Sequence, residues 1–103
     1  MAENISLTET TYYILLSLYR PLHGYGIMQR AAELSGGRVR LAAGTLYGAL
    51  NAMVDKGWIA LLPGEGRKKE YQLTSRGLEV LEKELARLRE LVASGDLVLK
   101  EEA

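Results

Sequence analysis

Cysteine is absent from the sequence, and histidine occurs once, as His23. Without cysteine the chain has no disulfide, no thiolate metal site and no cysteine nucleophile, which is typical of proteins from a reducing compartment. A single imidazole also cannot form a histidine metal cluster, and we expect it to cap a helix or a turn. We therefore predict no catalytic residue, no cofactor and no metal site.

Complete nucleotide-binding fingerprints are lacking as well. The segments "GYG" (24–26) and "GEG" (64–66) begin like G-x-G-x-x-G, but Gln29 and Lys69 stand where the third glycine belongs. The pattern G-x-x-x-x-G-K-[ST] does not occur. Together with the absent cysteine and the single histidine, this predicts that the protein is not an enzyme.

Long apolar runs are missing too. No stretch approaches the roughly 20 apolar residues of a membrane span, and the start "MAENISLTET" has neither the basic region nor the apolar run of a signal peptide. We expect a cytoplasmic protein with no membrane association. With 103 residues the chain suits one domain whose small core favours burial through an oligomer contact.

The charges cancel, with 13 basic and 13 acidic residues, but they are distributed unevenly. Residues 36–76 contain seven basic and three acidic residues, so this segment carries +4 and the remainder −4. Three of the cations are consecutive, at 67–69, and follow two glycines. A solvated basic turn is one explanation, and a contact with a polyanion is the other.

Apolar spacing predicts three short helices, with a capping box at Ser6-x-x-Glu9 starting the first and Pro21 ending it. Gly57 suits the left-handed residue that follows the last turn of the third helix. Residues 39–41 ("VRL") are a candidate short strand before that helix. The helices are predicted at about Leu7–Arg20, Gly24–Ser35 and Ala43–Lys56.

The apolar period changes to two after the third helix. "WIALL" (58–62) and "KEYQLT" (69–74) predict two strands of a hairpin, because proline and glycine lie between them. Four residues are predicted on its inner face: Ile59, Leu61, Tyr71 and Leu73.

A long helix is predicted from about Ser75 to Ala93, closed by Ser94-Gly95. Its apolar residues alternate spacings of three and four, which is typical of a heptad seam between paired helices. The predicted organisation is therefore a domain at 1–74, a dimerisation helix at 75–94 and an unassigned tail at 95–103. The candidate dimer interface consists of Leu78, Leu81, Leu85, Leu88 and Val92.

The order of helix, helix, short strand, helix and hairpin describes a winged helix-turn-helix, a mainly α fold with a small β wing. In such folds the third helix enters the DNA major groove, and the wing reaches the backbone or the adjacent minor groove. A wing tip needs cations to meet phosphates and glycines to bring the backbone close, and the segment Gly64–Lys69 offers both.

Four motifs in this order carry a resemblance to a known family: "HGYGI" (23–27), "GTLYGAL" (44–50), "DKGWI" (55–59) and "RKKEYQLTSRG" (67–77). Over residues 7–93 the sequence resembles the PadR family of transcriptional regulators, and within it the short subgroup with a single C-terminal helix. The resemblance implies a homodimeric DNA-binding repressor, a near-palindromic operator and a small apolar or aromatic effector.

The family motifs also imply which residues face DNA. These are Tyr25, Ala43, Gly44, Thr45 and Tyr47, and the wing cations Arg67, Lys68 and Lys69. The chain departs from many relatives at Gly48, where they have proline. Some short members bind flat drugs between tryptophans of paired C-terminal helices, but the only tryptophan here is Trp58, at the start of the wing.

Several of these residues have a second interpretation. Thr45 is either a helix cap or a base or phosphate contact, and Tyr47 either packs in the core or presents its hydroxyl to a phosphate. Asn51 lies off the apolar face, where it is either solvated or within reach of an adenine edge. Arg38 and Arg40 alternate with Val39, which predicts that both point to one side, either solvated or contacting phosphates.

A winged-helix module that binds protein instead of DNA is the main alternative function, because fold alone does not fix function. The basic excess of residues 36–76 favours DNA. Affinity for random duplex that falls steeply with salt would distinguish DNA binding from a protein-interaction module.

Overall fold

The structure, a computed structural model, describes residues 6–63 and 69–101 of the chain. Within these residues the chain forms four α-helices and a three-stranded antiparallel sheet whose strand order is β1-β3-β2. The elements are α1 (Glu9–Ser17), β1 (Leu22–His23), α2 (Gly24–Leu34), α3 (Ala43–Asp55), β2 (Ile59–Leu61), β3 (Glu70–Leu73) and α4 (Ser75–Glu101).

Helix α1 begins two residues later than the capping box predicts. Thr8 is the N-cap, and its hydroxyl accepts a hydrogen bond from the Thr11 N–H at 3.1 Å. The Leu7 N–H is directed instead to the carboxylate of Glu84 at 3.0 Å, which keeps the preceding segment out of the helix. The prediction of Ser6 as the cap is therefore wrong, and the helix also ends earlier, with Leu18 as its C-cap.

The short strand lies before α2, not before α3. Leu22 and His23 pair with Tyr71 and Glu70 of β3, so the prediction of a strand at residues 39–41 is wrong. The Val39 N–H donates to the Ser35 hydroxyl at 2.9 Å, and its side chain is buried, so this segment is irregular but packed on the core.

Local signals give the bounds of α2 and α3 to within one residue. His23 caps α2, since its Nδ1 accepts from the Gly26 N–H at 3.1 Å, which confirms the expected role of this imidazole. Lys56 is the C-cap of α3, and Gly57 follows it with a φ of 78°, a left-handed conformation that glycine adopts without strain.

The hairpin pairs β2 with β3 in the register Ile59↔Leu73 and Leu61↔Tyr71. Ile59 and Tyr71 are buried as predicted, and Leu73 is half-buried against the core. Leu61 shares the face of Ile59 and Tyr71 in this register, as predicted, but it is 44% exposed. It is the last residue of β2, and the core covers only the Ile59 end of that strand.

Helix α4 continues to Glu101, past the predicted end at Ser94-Gly95. Glycine inside a helix costs about 1 kcal/mol relative to alanine, which is too little to end a helix whose flanking residues favour it. Gly95 is not among the glycines with positive φ, so it does not form a left-handed cap. Residues 95–101, predicted as an unassigned tail, therefore belong to the helix.

One core joins α4 to the rest of the domain. It contains Ile14, Leu15 and Leu18 of α1 and the turn that follows it, Ile27 of α2, Leu46, Leu50 and Met53 of α3, Trp58, Ile59 and Tyr71 of the hairpin region, and Val80 and Leu81 of α4. Gly77 is buried where α4 meets the hairpin, and a Cβ on it would overlap the Trp58 carbonyl oxygen and lie 2.9 Å from Leu73 Cδ1. The first turn of α4 therefore requires glycine at this position.

We predict that Gly77→Ala lowers the free energy of unfolding by about 2–3 kcal/mol, because backbone atoms cannot move aside as a flexible side chain would. Gly95→Ala in the same helix is the matched control, since a Cβ there meets nothing within 4 Å. It should raise stability by up to about 1 kcal/mol. Urea unfolding of both variants measures the difference, and equal effects would contradict the close approach.

Candidate nucleic-acid interface

Helix α3 is divided between a buried and an exposed side. Leu46, Leu50 and Met53 are buried in the core. The opposite side is open to solvent, and it carries Ala43, Gly44, Thr45, Tyr47, Gly48 and Asn51. Every α3 residue predicted from the sequence to face DNA is therefore on the exposed side.

The N-terminus of α3 has no side-chain cap. Ala42 is the N-cap and makes no capping hydrogen bond, and the first intrahelical bond runs from the Leu46 N–H to the Ala42 carbonyl at 2.9 Å. The N–H groups ahead of Leu46 have no partner within the helix, so they can donate to a group that approaches this end of α3. Thr45 lies inside the first turn, so the interpretation of Thr45 as the cap is wrong.

The exposed side of α3 carries small residues that project little beyond the helix backbone. A Cβ added at Gly44 or Gly48 would meet nothing within 4 Å. A partner can therefore approach the α3 backbone closely along the side that also presents Thr45 and Asn51.

Three tyrosines lie at or near the start of α2: Tyr25 in its first turn, Tyr47 of α3 and Tyr71 of β3. The Tyr47 ring lies across Gly24, so close that a Cβ on this glycine would be 2.8 Å from Tyr47 Cζ. Tyr25, the second residue of α2, is exposed, and Tyr71 of β3 is buried. Burial, and secondarily the proximity of Tyr47, raises the pKa of Tyr71. Tyr47 thus packs on the start of α2 while remaining about half exposed, so its two interpretations are compatible.

The two arginines before α3 do not act as a pair. Arg38 Nη2 binds Glu9 Oε2 of α1 at 2.8 Å. Arg40 is exposed, and its Nη2 lies 3.2 Å from the position of a Cβ on Gly37. The prediction that both point to one side rested on a strand at residues 39–41, and this segment is irregular. Arg40 is the arginine not paired with Glu9.

The wing is described only at its two strands. Lys69 is exposed immediately before β3. Because Glu70 pairs with His23, this lysine lies near the start of α2 and Tyr25. Arg67 and Lys68 lie outside the described residues.

The predicted dimer seam on α4 is divided in two. Leu81 is buried in the core of its own domain, so its assignment to an open interface is wrong. Leu78, Leu85 and Leu88 are half-buried, and Val92 is 62% exposed. Beyond the predicted seam, four more apolar residues of α4 are exposed: Leu91, Leu97, Val98 and Leu99.

Sequence reasoning missed Glu84 of α4, which is buried and holds Arg87 and the Leu7 backbone. In the sequence, a glutamate in a charged helix looks like any solvated residue. The only sign that Glu84 is buried is its position three residues after Leu81, on the same side of the helix.

Within residues 6–63 and 69–101, no group of three or more His, Asp or Glu residues is arranged to hold a metal ion. None of the helices in these ranges is long and apolar enough to span a membrane.

A family model described as the transcriptional regulator PadR-like family matches residues 13–83. A PadR family transcription regulator from Clostridium difficile superposes with a TM-score of 0.74 at 26% identity, covering 89% of this chain and 99% of that one. Bacillus subtilis PadR in complex with operator DNA gives a TM-score of 0.62 at 30% identity, covering 73% and 45%. These likenesses confirm the predicted winged-helix fold with a long C-terminal helix.

Among curated proteins, an uncharacterised 37.1 kDa protein in a transposon of Streptomyces fradiae is 42% identical over 64 residues. The match covers 62% of this chain and 18% of the length of that relative.

We predict that Gly24→Ala destabilises the protein by about 1–2 kcal/mol, because the new methyl displaces the Tyr47 ring. In a Tyr47→Ala background the same change should cost less than about 0.5 kcal/mol, since the obstructing ring is gone. A double-mutant cycle in chemical denaturant measures this coupling. Equal costs in both backgrounds would show that the tyrosine does not pack on the start of α2.

Proposed function

Because the chain belongs to the PadR-like family of transcriptional regulators, we propose that it binds double-stranded DNA sequence-specifically through α3. The observation that carries this proposal is the exposed, uncapped start of α3, with tyrosines on one flank. The start of α3 presents backbone N–H donors, the Thr45 hydroxyl and little side-chain bulk. This is what a helix needs to enter a major groove.

Within this surface the residues take different roles. Ala43 and Gly44 allow the helix start to approach a phosphate, and Thr45 and Asn51 reach base edges from one side of α3. Tyr25 and Tyr47, at the start of α2 and on α3, present their hydroxyl groups to the DNA backbone beside the groove. The base contacts of Thr45 and Asn51 then determine the sequence preference, and the two tyrosines fix the position of the protein along the DNA.

Cations supply the part of the affinity that does not depend on sequence. Arg67, Lys68 and Lys69 of the wing contact phosphates, with Arg40 as an additional contact ahead of α3. Phosphate neutralisation by these side chains makes the affinity strongly dependent on salt. A module that binds protein instead of DNA would lack this dependence.

The active form in this proposal is a homodimer joined through α4. Leu78, Leu85, Leu88 and Val92 retain exposed apolar surface after the domain has folded. The same alternation of three and four continues through Gly95 to Leu99, which is exposed. A second copy of the helix covers this stripe without exposing new polar groups. Pairing then places two α3 helices on one face of a near-palindromic operator.

Repression released by a small apolar or aromatic effector completes the proposal. A cavity of about 330 Å³ lies between α3 and the segment before α1, lined in part by Leu7, Ala49, Met53, Lys56 and Trp58. Its size is at the lower end for small-molecule sites. Ala49 follows Thr45 by four residues and Ala52 follows Gly48 by four, so a compound in this cavity would contact α3 next to its DNA-facing side.

Thr45→Ala and Lys69→Ala separate specific from nonspecific binding. We predict that Thr45→Ala weakens binding to a selected operator by about 1 kcal/mol and leaves random-duplex binding nearly unchanged. Lys69→Ala should weaken both similarly and lower the salt slope of log K by about one unit. Fluorescence anisotropy across salt measures both variants.

Lys83→Ala is the matched control for the lysine, because Lys83 lies on α4 and pairs with Glu79 at 3.1 Å. It should leave the salt slope unchanged. If the wild-type protein binds no duplex at any salt concentration, the protein-interaction alternative replaces DNA binding.

Val92→Glu tests the dimer without disturbing the core, because this side chain is 62% exposed in the single chain. A carboxylate in the paired seam should weaken dimerisation by about 100-fold or more, giving folded monomers in sedimentation. Leu97→Glu is the control, since Leu97 is 63% exposed but lies about 140° around the helix from Val92. Dimers of both variants, or monomers of both, would place the interface elsewhere.

A further inference from the structure

Glu84 is the one charged side chain that is buried within residues 6–63 and 69–101, at 2% exposure. It lies on α4, where the helix passes the entry to α1. The side chains before it, Val80 and Leu81, pack into the core, whereas all residues from Arg89 to Glu101 are exposed. Glu84 is therefore the last buried residue of α4 before the helix leaves its own domain.

Directed hydrogen bonds hold this carboxylate. Arg87 donates from Nε to Oε1 at 2.6 Å and from Nη2 to Oε2 at 2.8 Å, and the Leu7 N–H donates to Oε2 at 3.0 Å. The hydrogen bonds from Arg87 lower the pKa of Glu84 and outweigh burial, which acts in the opposite direction. The carboxylate is therefore charged at neutral pH, and it joins two segments that are 77 residues apart.

This ion pair is a poor means of adding stability. Burial strips the Glu84 carboxylate of water, whereas its partner Arg87 is 35% exposed, where solvent weakens the attraction. Two apolar side chains of similar volume are often as stabilising as such a pair. A bidentate pair that also accepts a backbone N–H instead enforces one geometry, since its hydrogen bonds weaken when their angles change. Apolar packing tolerates a small tilt of α4 much more easily.

A small tilt of α4 at Glu84 is important because the helix extends far beyond this residue. From Glu84 to Leu99 the helix extends about 22 Å at 1.5 Å per residue. A tilt of about 10° at Glu84 would move that end by about 4 Å. This displacement exceeds the 3.4 Å rise of one base pair, and it would change the position of a second domain carried on the paired helix.

We propose that Glu84, together with Arg87 and the Leu7 N–H, is a positioning residue that sets the distance between the two α3 helices of the dimer. It thereby determines which spacing of operator half-sites the protein accepts. This inference rests on the proposed function, because it requires a DNA-binding dimer joined through α4. Glu84 itself contacts no DNA.

The test compares the full-length wild type with Glu84→Leu/Arg87→Leu, in which an apolar pair replaces the ion pair. Each protein selects duplexes from a pool with a central random segment of about 30 base pairs, and sequencing gives the half-sites and their spacing. The control is Glu79→Leu/Lys83→Leu, which removes the exposed ion pair of the same helix. Circular dichroism and sedimentation first verify that each variant is a folded dimer.

The wild type and the control should prefer one half-site spacing at least about 10-fold over spacings one base pair shorter or longer. The Glu84 variant should select the same half-site sequence with less than about threefold preference among spacings, or with a shifted spacing. If the double variant does not fold, Glu84→Gln takes its place, because it keeps the shape and an oxygen for the Leu7 N–H.

Unchanged spacing preference in a folded Glu84 variant would overturn the inference while leaving the proposed function intact. If the wild type enriches no sequence, the proposed function fails and the inference fails with it. A loss of the half-site sequence itself, with spacing unaltered, would mean that Glu84 acts on α3 and not on the dimer geometry.

Discussion

The contact between Gly77 and the Trp58 carbonyl is the constraint on which the rest of the structure depends. It lets the first turn of α4 lie directly on the hairpin, so that Val80 and Leu81 enter the same core as α1, α2 and α3. A side chain at residue 77 would separate these layers. Because α4 is seated in this way, the helix is a rigid extension of the winged-helix domain and not a tethered appendage.

The same core explains why α3 is available for recognition. Leu46, Leu50 and Met53 anchor one side of the helix, so the other side needs no side chains for stability and can be occupied by glycine and alanine. Tyr47 is the exception, because it closes over Gly24 while remaining half exposed. The requirements of folding and of the proposed DNA contact are thus met by different faces of one helix.

Much of this arrangement could be predicted from the sequence, because helical periodicity and capping act locally. His23 and Gly57 are examples, and the exposed side of α3 follows from its apolar spacing. Strand β1 could not be predicted, since two residues form a strand only by pairing with Tyr71 and Glu70. The burial of Glu84 was also hidden, because its partner Leu7 is 77 residues distant in the chain. The continuation of α4 through Gly95 shows that flanking helix formers outweigh one glycine.

The central claim is that α4 fixes two α3 helices at a set distance, and a distance between labels on α3 tests it most directly. The chain has no cysteine, so a Gly48→Cys variant takes a single spin label on the open side of that helix. Pulsed electron resonance of the free protein should give a narrow distribution near 34–36 Å, about one turn of DNA. The absence of any coupling between labels, or a broad distribution far from a whole turn, would contradict the claim.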